Sequence, residues 1–287
     1  MKKLGDKGLG LAAISYDPVE VISAFSRQRG ITFPLLSDAG SATISQYGLL
    51  NTVVAEALGP NKDDPEVKAD IQKYVSVVGV RPFMDGIAFP GTFMLDRSGR
   101  VTARYFEDSY VERNTVSSVL VQTGAGKAEA NATKISAAHL EVLTYPSAAE
   151  VAVGNRFSLV LDIAPGRGIH VYAPGAQGYR KMTLAVTPDP NIRLLPVRYP
   201  DSEVYFFKPL NERVPVFQKR FRLVQDVILE GTPQAQAALR GKDALTLSGS
   251  LEYQACDDKE CFNPVSIPLT WKLALRPLVV ERPSVPK

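Results

Sequence analysis

Cys256 and Cys261 are the two cysteines of the chain, and they stand close together in Tyr253-Gln254-Ala255-Cys256-Asp257-Asp258-Lys259-Glu260-Cys261. Two thiols at this spacing can cycle between dithiol and disulfide, and the thiolate is the form that attacks. The residues between them set how readily either ionises. Asp257, Asp258 and Glu260 against Lys259 leave a local charge of about −2, and a carboxylate roughly 6 Å away raises a thiol pKa by about half a unit. Nucleophiles in CxxC sites sit at helix N-termini, which lower the pKa, whereas this segment is acidic. Such a pair suits exchange with an activated partner better than unaided attack on peroxide.

Two alternating strands must position these thiols. Leu245, Leu247, Leu251 and Tyr253 alternate with Thr246, Ser248, Ser250 and Glu252 before the pair. Val265, Ile267, Leu269, Trp271 and Leu273 alternate with Ser266, Thr270 and Lys272 after it. A period of two on both sides predicts a hairpin with one buried face, able to bring the sulfurs within bonding distance. A structural staple is the other use of such a pair. Closing a loop of about six residues removes only about 2 kcal/mol of unfolded-state entropy, so stapling is an inefficient use of it. Chemistry alone leaves both uses open.

The bulk of the chain excludes several function classes. Its 287 residues, 45% hydrophobic and 22% charged, are ordinary globular material with room for two domains. A net charge of +3 over 33 basic and 30 acidic residues makes no basic stripe, so no nucleic-acid partner is expected. No apolar run approaches the roughly 20 residues of a membrane span. Met1-Lys2-Lys3 starts as a secretion signal does, but Gly5, Asp6 and Lys7 interrupt any apolar stretch after it. His139 and His170 are separated in sequence from each other and from the cysteines. They form no ligand set of recognisable spacing, so neither a metal nor another cofactor is expected.

The two halves differ in pattern. From Leu9 to about Val121, strands alternate with helices: a strand over Leu9–Ser15, a helix opened by Asp17-Pro18 and stopped by Gly30, and a strand over Ile31–Leu36. A short helix follows at Ala42–Tyr47, another opens at Asp64-Pro65, Gly91–Phe106 forms a hairpin, and a last helix runs from Ser109 to Val121. Residues 122–135 are small and polar, as linkers are. Beyond them come about seven short strands punctuated by proline and glycine, which predict a β-sandwich. The expected division is 1–121, a linker at 122–135, a second domain over 136–277 and a tail at 278–287.

Gly10-Leu11-Ala12-Ala13-Ile14-Ser15-Tyr16-Asp17, Phe33-Pro34-Leu35-Leu36-Ser37-Asp38, Tyr47-Gly48 and Pro90-Gly91-Thr92-Phe93-Met94-Leu95-Asp96-Arg97-Ser98-Gly99 resemble, in order, the redoxin and peroxiredoxin (AhpC/TSA) branch of the thioredoxin fold. The resemblance puts Pro90 where that fold keeps a cis-proline. A redoxin carries its peroxidatic or CxxC cysteine on a helix after the first strand, and the chain begins too late to hold either element. The resemblance therefore implies a fragment or a mis-started reading frame, with two strands left with unpaired edges, low stability in this half and no peroxidase activity.

Tyr253-Gln254-Ala255-Cys256 through Cys261-Phe262-Asn263-Pro264, with weaker matches at His170-Val171-Tyr172-Ala173-Pro174 and Asp201-Ser202-Glu203-Val204-Tyr205-Phe206, resemble the N-terminal periplasmic domain of the thiol:disulfide interchange protein DsbD. That resemblance implies an immunoglobulin-like sandwich in the periplasm that relays electrons through Cys256 and Cys261 to thioredoxin-fold or other thiol–disulfide exchange partners. It makes Cys261 the sulfur that forms the mixed disulfide and Cys256 the one that resolves it. A cap over Glu203–Phe207 would shield the pair with Tyr205 or Phe206. The cysteine spacing is one residue tighter than in the best-known members. The resulting expectation is a thiol–disulfide relay attached to a redoxin domain without its own cysteine. The alternative is a non-catalytic binding module with a structural disulfide and a degenerate redoxin scaffold.

Overall fold

The computed structural model describes residues 2–77, 86–106, 112–124, 132–207 and 211–277. The expected tail at 278–287 lies outside them. Two compact units divide between Arg113 and Asn114.

The N-terminal unit runs α1 (Lys2–Gly5), β1 (Ala13–Ser15), α2 (Val19–Arg29), β2 (Leu35–Ser37), α3 (Ala42–Gln46), α4 (Val53–Leu58), α5 (Pro65–Val77), β3 (Gly91–Leu95) and β4 (Val101–Phe106). Helix α2 stops where Gly30 takes a left-handed conformation at φ 60°, its N–H donating to the Arg27 carbonyl and the Ile31 N–H to that of Ser26. Helix α5 opens on Asp64, whose carboxylate accepts from the Glu66 N–H at 2.9 Å. The unforeseen helix is α4. Its start is hidden by two β-branched residues, Val53 and Val54, and the buried Asn51 holds it by accepting from the Val53 N–H at 2.9 Å.

Strands β1 and β2 pair in parallel, from Ala13 opposite Leu35 to Ser15 opposite Ser37. Strands β3 and β4 form the expected hairpin, its turn held by Asp96 Oδ1 accepting from the N–H groups of Ser98 and Arg100. The two pairs are separate two-stranded sheets. The buried apolar side chains described in this unit are Ile22, Ile44 and Val54. Ile14 and Leu36, opposite each other on the parallel pair, remain 45% and 49% exposed. No cis peptide bond occurs among the described residues, so the Phe89–Pro90 bond is trans. This corrects the cis expectation for Pro90 and leaves an ordinary proline before a strand.

Strand β5 (Arg113–Asn114) straddles the division, and the C-terminal unit continues with α6 (Val116–Gln122), β6 (Thr133–Ala137), β7 (Leu140–Pro146), β8 (Glu150–Val151), β9 (Asn155–Pro165), β10 (His170–Tyr172), β11 (Thr183–Val186) and β12 (Ile192–Arg198). Then come β13 (Glu203–Phe207), β14 (Glu212–Phe217), β15 (Phe221–Leu229), α7 (Pro233–Leu239), β16 (Ala244–Tyr253), β17 (Ala255–Cys256) and β18 (Val265–Leu275). One sheet has the order β12-β15-β9-β7-β6, a second β11-β16-β18-β8 and a third β13-β14-β10-β17.

The alternation read from the sequence places Leu245, Leu247, Leu251 and Tyr253 of β16 with Ile267, Leu269, Trp271 and Leu273 of β18 in one core, alongside Phe157, Leu159, Leu161 and Ile163 of β9. Each fully buried side chain of this kind contributes about 1.5–3 kcal/mol. The Trp271 indole N–H donates to Thr144 Oγ1 at 2.8 Å, so its one polar atom is satisfied inside the core. Gly249 is required in mid-strand. A Cβ there would collide with the Ala185 carbonyl oxygen of β11 and press on the Trp271 ring.

Two helices modify the all-β expectation for this half. Helix α7 starts on Thr232, whose hydroxyl accepts from the Ala235 N–H, with Pro233 at its first position. Helix α6 was expected to close the first half, yet it begins at Val116 and lies in the C-terminal unit. Residues 109–111 of the expected helix lie outside the described ones. The reason for its placement is packing: Val121 is buried with Tyr145, Val160 and Val224, and Gln122 donates to Asp226 at 3.1 Å. Asp226 is fully buried and also accepts from Arg156 at 2.8 Å, Arg198 at 2.7 Å and Ser158 at 2.7 Å. Burial pushes its carboxyl up, but Arg198, Ser158 and Arg156 outweigh that and hold it below the usual carboxylate range.

Candidate redox site

Strand β16 pairs with β18 from Ala244 opposite Ala274 to Tyr253 opposite Val265, and there the hairpin splits. At Gln254 the chain leaves that sheet. Ala255 and Cys256 join the third sheet, opposite Val171 and His170 of β10. Gln254 holds the branch point by donating from Nε2 to the Phe262 carbonyl at 3.1 Å. The expected hairpin is present, but its cysteine arm belongs to a different sheet from its stem.

The loop after Cys256 is shaped by Asp257. Its Oδ1 accepts from the N–H groups of Glu260 and Lys259, both at 2.8 Å, and its own N–H donates to the Glu260 carbonyl at 3.0 Å. This is the local bonding that aspartate offers in turns. Those N–H groups of Glu260 and Lys259 hold the Asp257 carboxyl below its ordinary value. The Phe262 N–H donates back to the Ala255 carbonyl at 2.9 Å. Within this frame Cys256 and Cys261 are joined as a disulfide, with Cα atoms 4.0 Å apart. The two residues differ in exposure: Cys256 is 1% exposed, whereas Cys261 is an exposed residue.

A cluster of rings surrounds the buried sulfur. Tyr172 Oη lies 3.2 Å from Cys256 Sγ and 3.3 Å from Cys261 Sγ. Its ring stacks on Tyr179 at 4.2 Å, and the Tyr179 hydroxyl donates to Glu212 at 2.5 Å. Burial, with Tyr179, Glu212 and Tyr205 nearby, pushes the Tyr172 phenol up to about 12. His170 is buried, meets Tyr172 edge-on at 5.7 Å and stacks on Tyr205 of β13 at 4.4 Å. Burial holds its imidazole below the ordinary value, and the charge of Asp257 opposes that. His139 occupies the β6–β7 turn at φ 66° and stacks on Phe262 at 3.8 Å.

The structure thus brings Cys256, Cys261 and Tyr205 to one place and leaves Phe206 outside it. Tyr205 packs in the cluster that contains Cys256, Tyr172, Val214 and Val216. Phe206, the next residue along β13, points to the opposite face as strand geometry requires, is 41% exposed and lies under the Arg213 guanidinium. Pro90 belongs to the N-terminal unit. Sequence separation misled for both histidines: strand pairing sets His170 opposite Cys256, and ring stacking sets His139 on the residue after Cys261. The alternation His170-Val171-Tyr172 was the signal for two rings on one strand face, but nothing in it names the strand opposite.

Residues 1–104 match the AhpC/TSA family, in agreement with the redoxin resemblance of the first half. Among solved structures, the N-terminal periplasmic domain of ScsB from Proteus mirabilis is similar at a TM-score of 0.34 and 12% identity, over 47% of this chain and 49% of that one. The chain thus spans about half the length of that domain. The Neisseria meningitidis DsbD N-terminal domain in its reduced form is similar at a TM-score of 0.27 and 14% identity, over 41% of this chain and 81% of that one. No curated protein matches the chain. Among the described residues no helix is long and apolar enough to cross a membrane, and no three His, Cys, Asp or Glu side chains gather as a metal site.

Proposed function

We propose that the C-terminal unit is a thiol–disulfide exchange module of the DsbD N-terminal type, an immunoglobulin-like sandwich that relays two electrons through Cys256 and Cys261 in the periplasm. The observation that carries this reading is the asymmetry of the disulfide. One cysteine is an exposed residue, able to meet a partner's thiolate, and the other is buried and suits the leaving group, which is the division of labour that exchange needs. Cys261 forms the mixed disulfide, Cys256 resolves it, and Tyr205 shields the pair. The partner is a thioredoxin-fold or other exchange protein whose own cysteine is activated, since the acidic loop does not activate these two. The N-terminal unit serves as an attached redoxin domain, and Cys256 and Cys261 both lie beyond it.

A staple explains the pair less well. The loop is already closed by the Asp257 turn, the Phe262 to Ala255 bond, the Gln254 side chain and the His139–Phe262 stack. A disulfide across it adds about 2 kcal/mol at most by loop entropy. Equilibration of the full chain with redox buffers separates the two uses. The relay reading expects a reduction potential within reach of thioredoxin-like donors, and a potential below about −300 mV would return the pair to a structural role.

A further inference from the structure

We propose that Tyr172 is a catalytic residue of the exchange reaction, its phenol O–H being the donor that holds the thiolate released when the Cys256–Cys261 bond opens. This rests on the relay reading above and adds a residue to it. The hydroxyl oxygen is within hydrogen-bond reach of both sulfurs, at 3.2 Å and 3.3 Å. A disulfide sulfur is a weak acceptor and a thiolate a strong one, so the same contact strengthens as charge develops on the leaving sulfur. That is the condition for lowering a barrier instead of merely binding the resting state.

Cys256 Sγ needs such a donor. At 1% exposure the cysteine has little access to water, and an uncompensated buried anion is costly. His170 stands opposite Cys256 across the strand pair, and burial favours its neutral form. Tyr172 is itself 4% exposed and is fixed by its stack on Tyr179, so its hydroxyl is held in place before the reaction starts. With its phenol pushed up to about 12, it keeps its proton at neutral pH and acts as a donor, not as a source of a free proton.

The step balances as follows. A partner thiolate attacks Cys261 Sγ; a partner–Cys261 sulfur bond forms, the Cys256–Cys261 bond breaks, and its electron pair goes to Cys256 Sγ under the Tyr172 O–H. The partner's second thiol, after losing its proton, attacks the partner's own sulfur in the mixed disulfide and releases Cys261 as thiolate, again within reach of Tyr172. Two protons return to the two sulfurs from solvent. A partner dithiol has become a disulfide, and the Cys256–Cys261 disulfide a dithiol.

The variant Tyr172→Phe in the full chain keeps the ring on Tyr179 and removes only the hydroxyl. Reduction by dithiothreitol is expected to slow about ten- to a hundredfold, the factor implied by losing one hydrogen bond to a charged sulfur. The Cys256 thiol of the reduced variant should also titrate at a pH at least about one unit higher, which a merely structural role of Tyr172 would not produce. An unchanged rate with an unchanged thiol titration overturns the role of Tyr172 while leaving the relay standing. A wild-type disulfide that dithiothreitol cannot open overturns the relay and this role together. In the unaltered chain labelled with 13Cζ-tyrosine, the Tyr172 resonance should move at the pH where Cys256 ionises. A resonance blind to that titration overturns the proposal even where the variant fails to fold.

Discussion

The two units treat their strands in opposite ways. In the C-terminal unit every long strand buries one face in a shared core, with Phe157, Leu161, Leu247, Trp271 and their neighbours closed off from water. Among the described residues of the N-terminal unit β1 pairs with β2 and β3 with β4, each as a two-stranded sheet, and the buried apolar side chains described there are Ile22, Ile44 and Val54. Parallel strands are ordinarily covered on both faces, yet Ile14 and Leu36 stand open beside each other. A unit of the first kind can hold a reactive element such as the cysteine loop because its large core lies elsewhere. One of the second kind has little stability to spare.

Hydrogen exchange is the strongest way to break this contrast. Amides of β1 to β4 are expected to exchange at least about a hundredfold faster than those of β9, β16 and β18, because local opening needs little free energy where few apolar contacts are lost. Equal protection in both units would end the comparison.

Asp226→Ala sharpens it from the other side. Removing the carboxylate leaves Arg156 and Arg198 without their shared partner, at an expected loss of about 3 kcal/mol from the C-terminal unit, read by denaturant unfolding. The same carboxylate sets an acid limit. Its folded-state pKa lies below the unfolded value, so its contribution is complete above about pH 4 and is lost as pH falls through the folded value. A variant as stable as the wild type at neutral pH would mean that the cluster is decorative.

The smallest effect belongs to His170. Its imidazole is held below the unfolded value of about 6.5, so the unfolded chain binds the proton first. Stability of the C-terminal unit is therefore full above that pH and declines as pH drops from it toward the folded value. His170→Phe should flatten this stretch of the thermal-midpoint profile, and an unaltered slope would assign the decline to other groups.

Much of this was legible in the chain. Alternation in β16 and β18 is strict, so the buried set could be read directly, and Gly30 marked the end of α2. The failures share a physical cause. Strand β17 is two residues long and changes sheets, which no periodicity can register. Helix α6 carries an apolar stripe that fits either half, and only the buried Asp226 cluster decides where it packs. Choosing Tyr205 over Phe206 needed the β13–β14 register, since a one-residue slip exchanges which ring faces the disulfide.

Trp271 is the single tryptophan of the chain. It lies on the strand that leaves the cysteine loop, sealed in the core with its N–H on Thr144. Fluorescence excited selectively at the indole therefore watches the C-terminal unit alone, without labels. The N-terminal unit is dark to it, so comparing tryptophan emission with far-ultraviolet circular dichroism during one melt separates the unfolding of the two units in the intact protein.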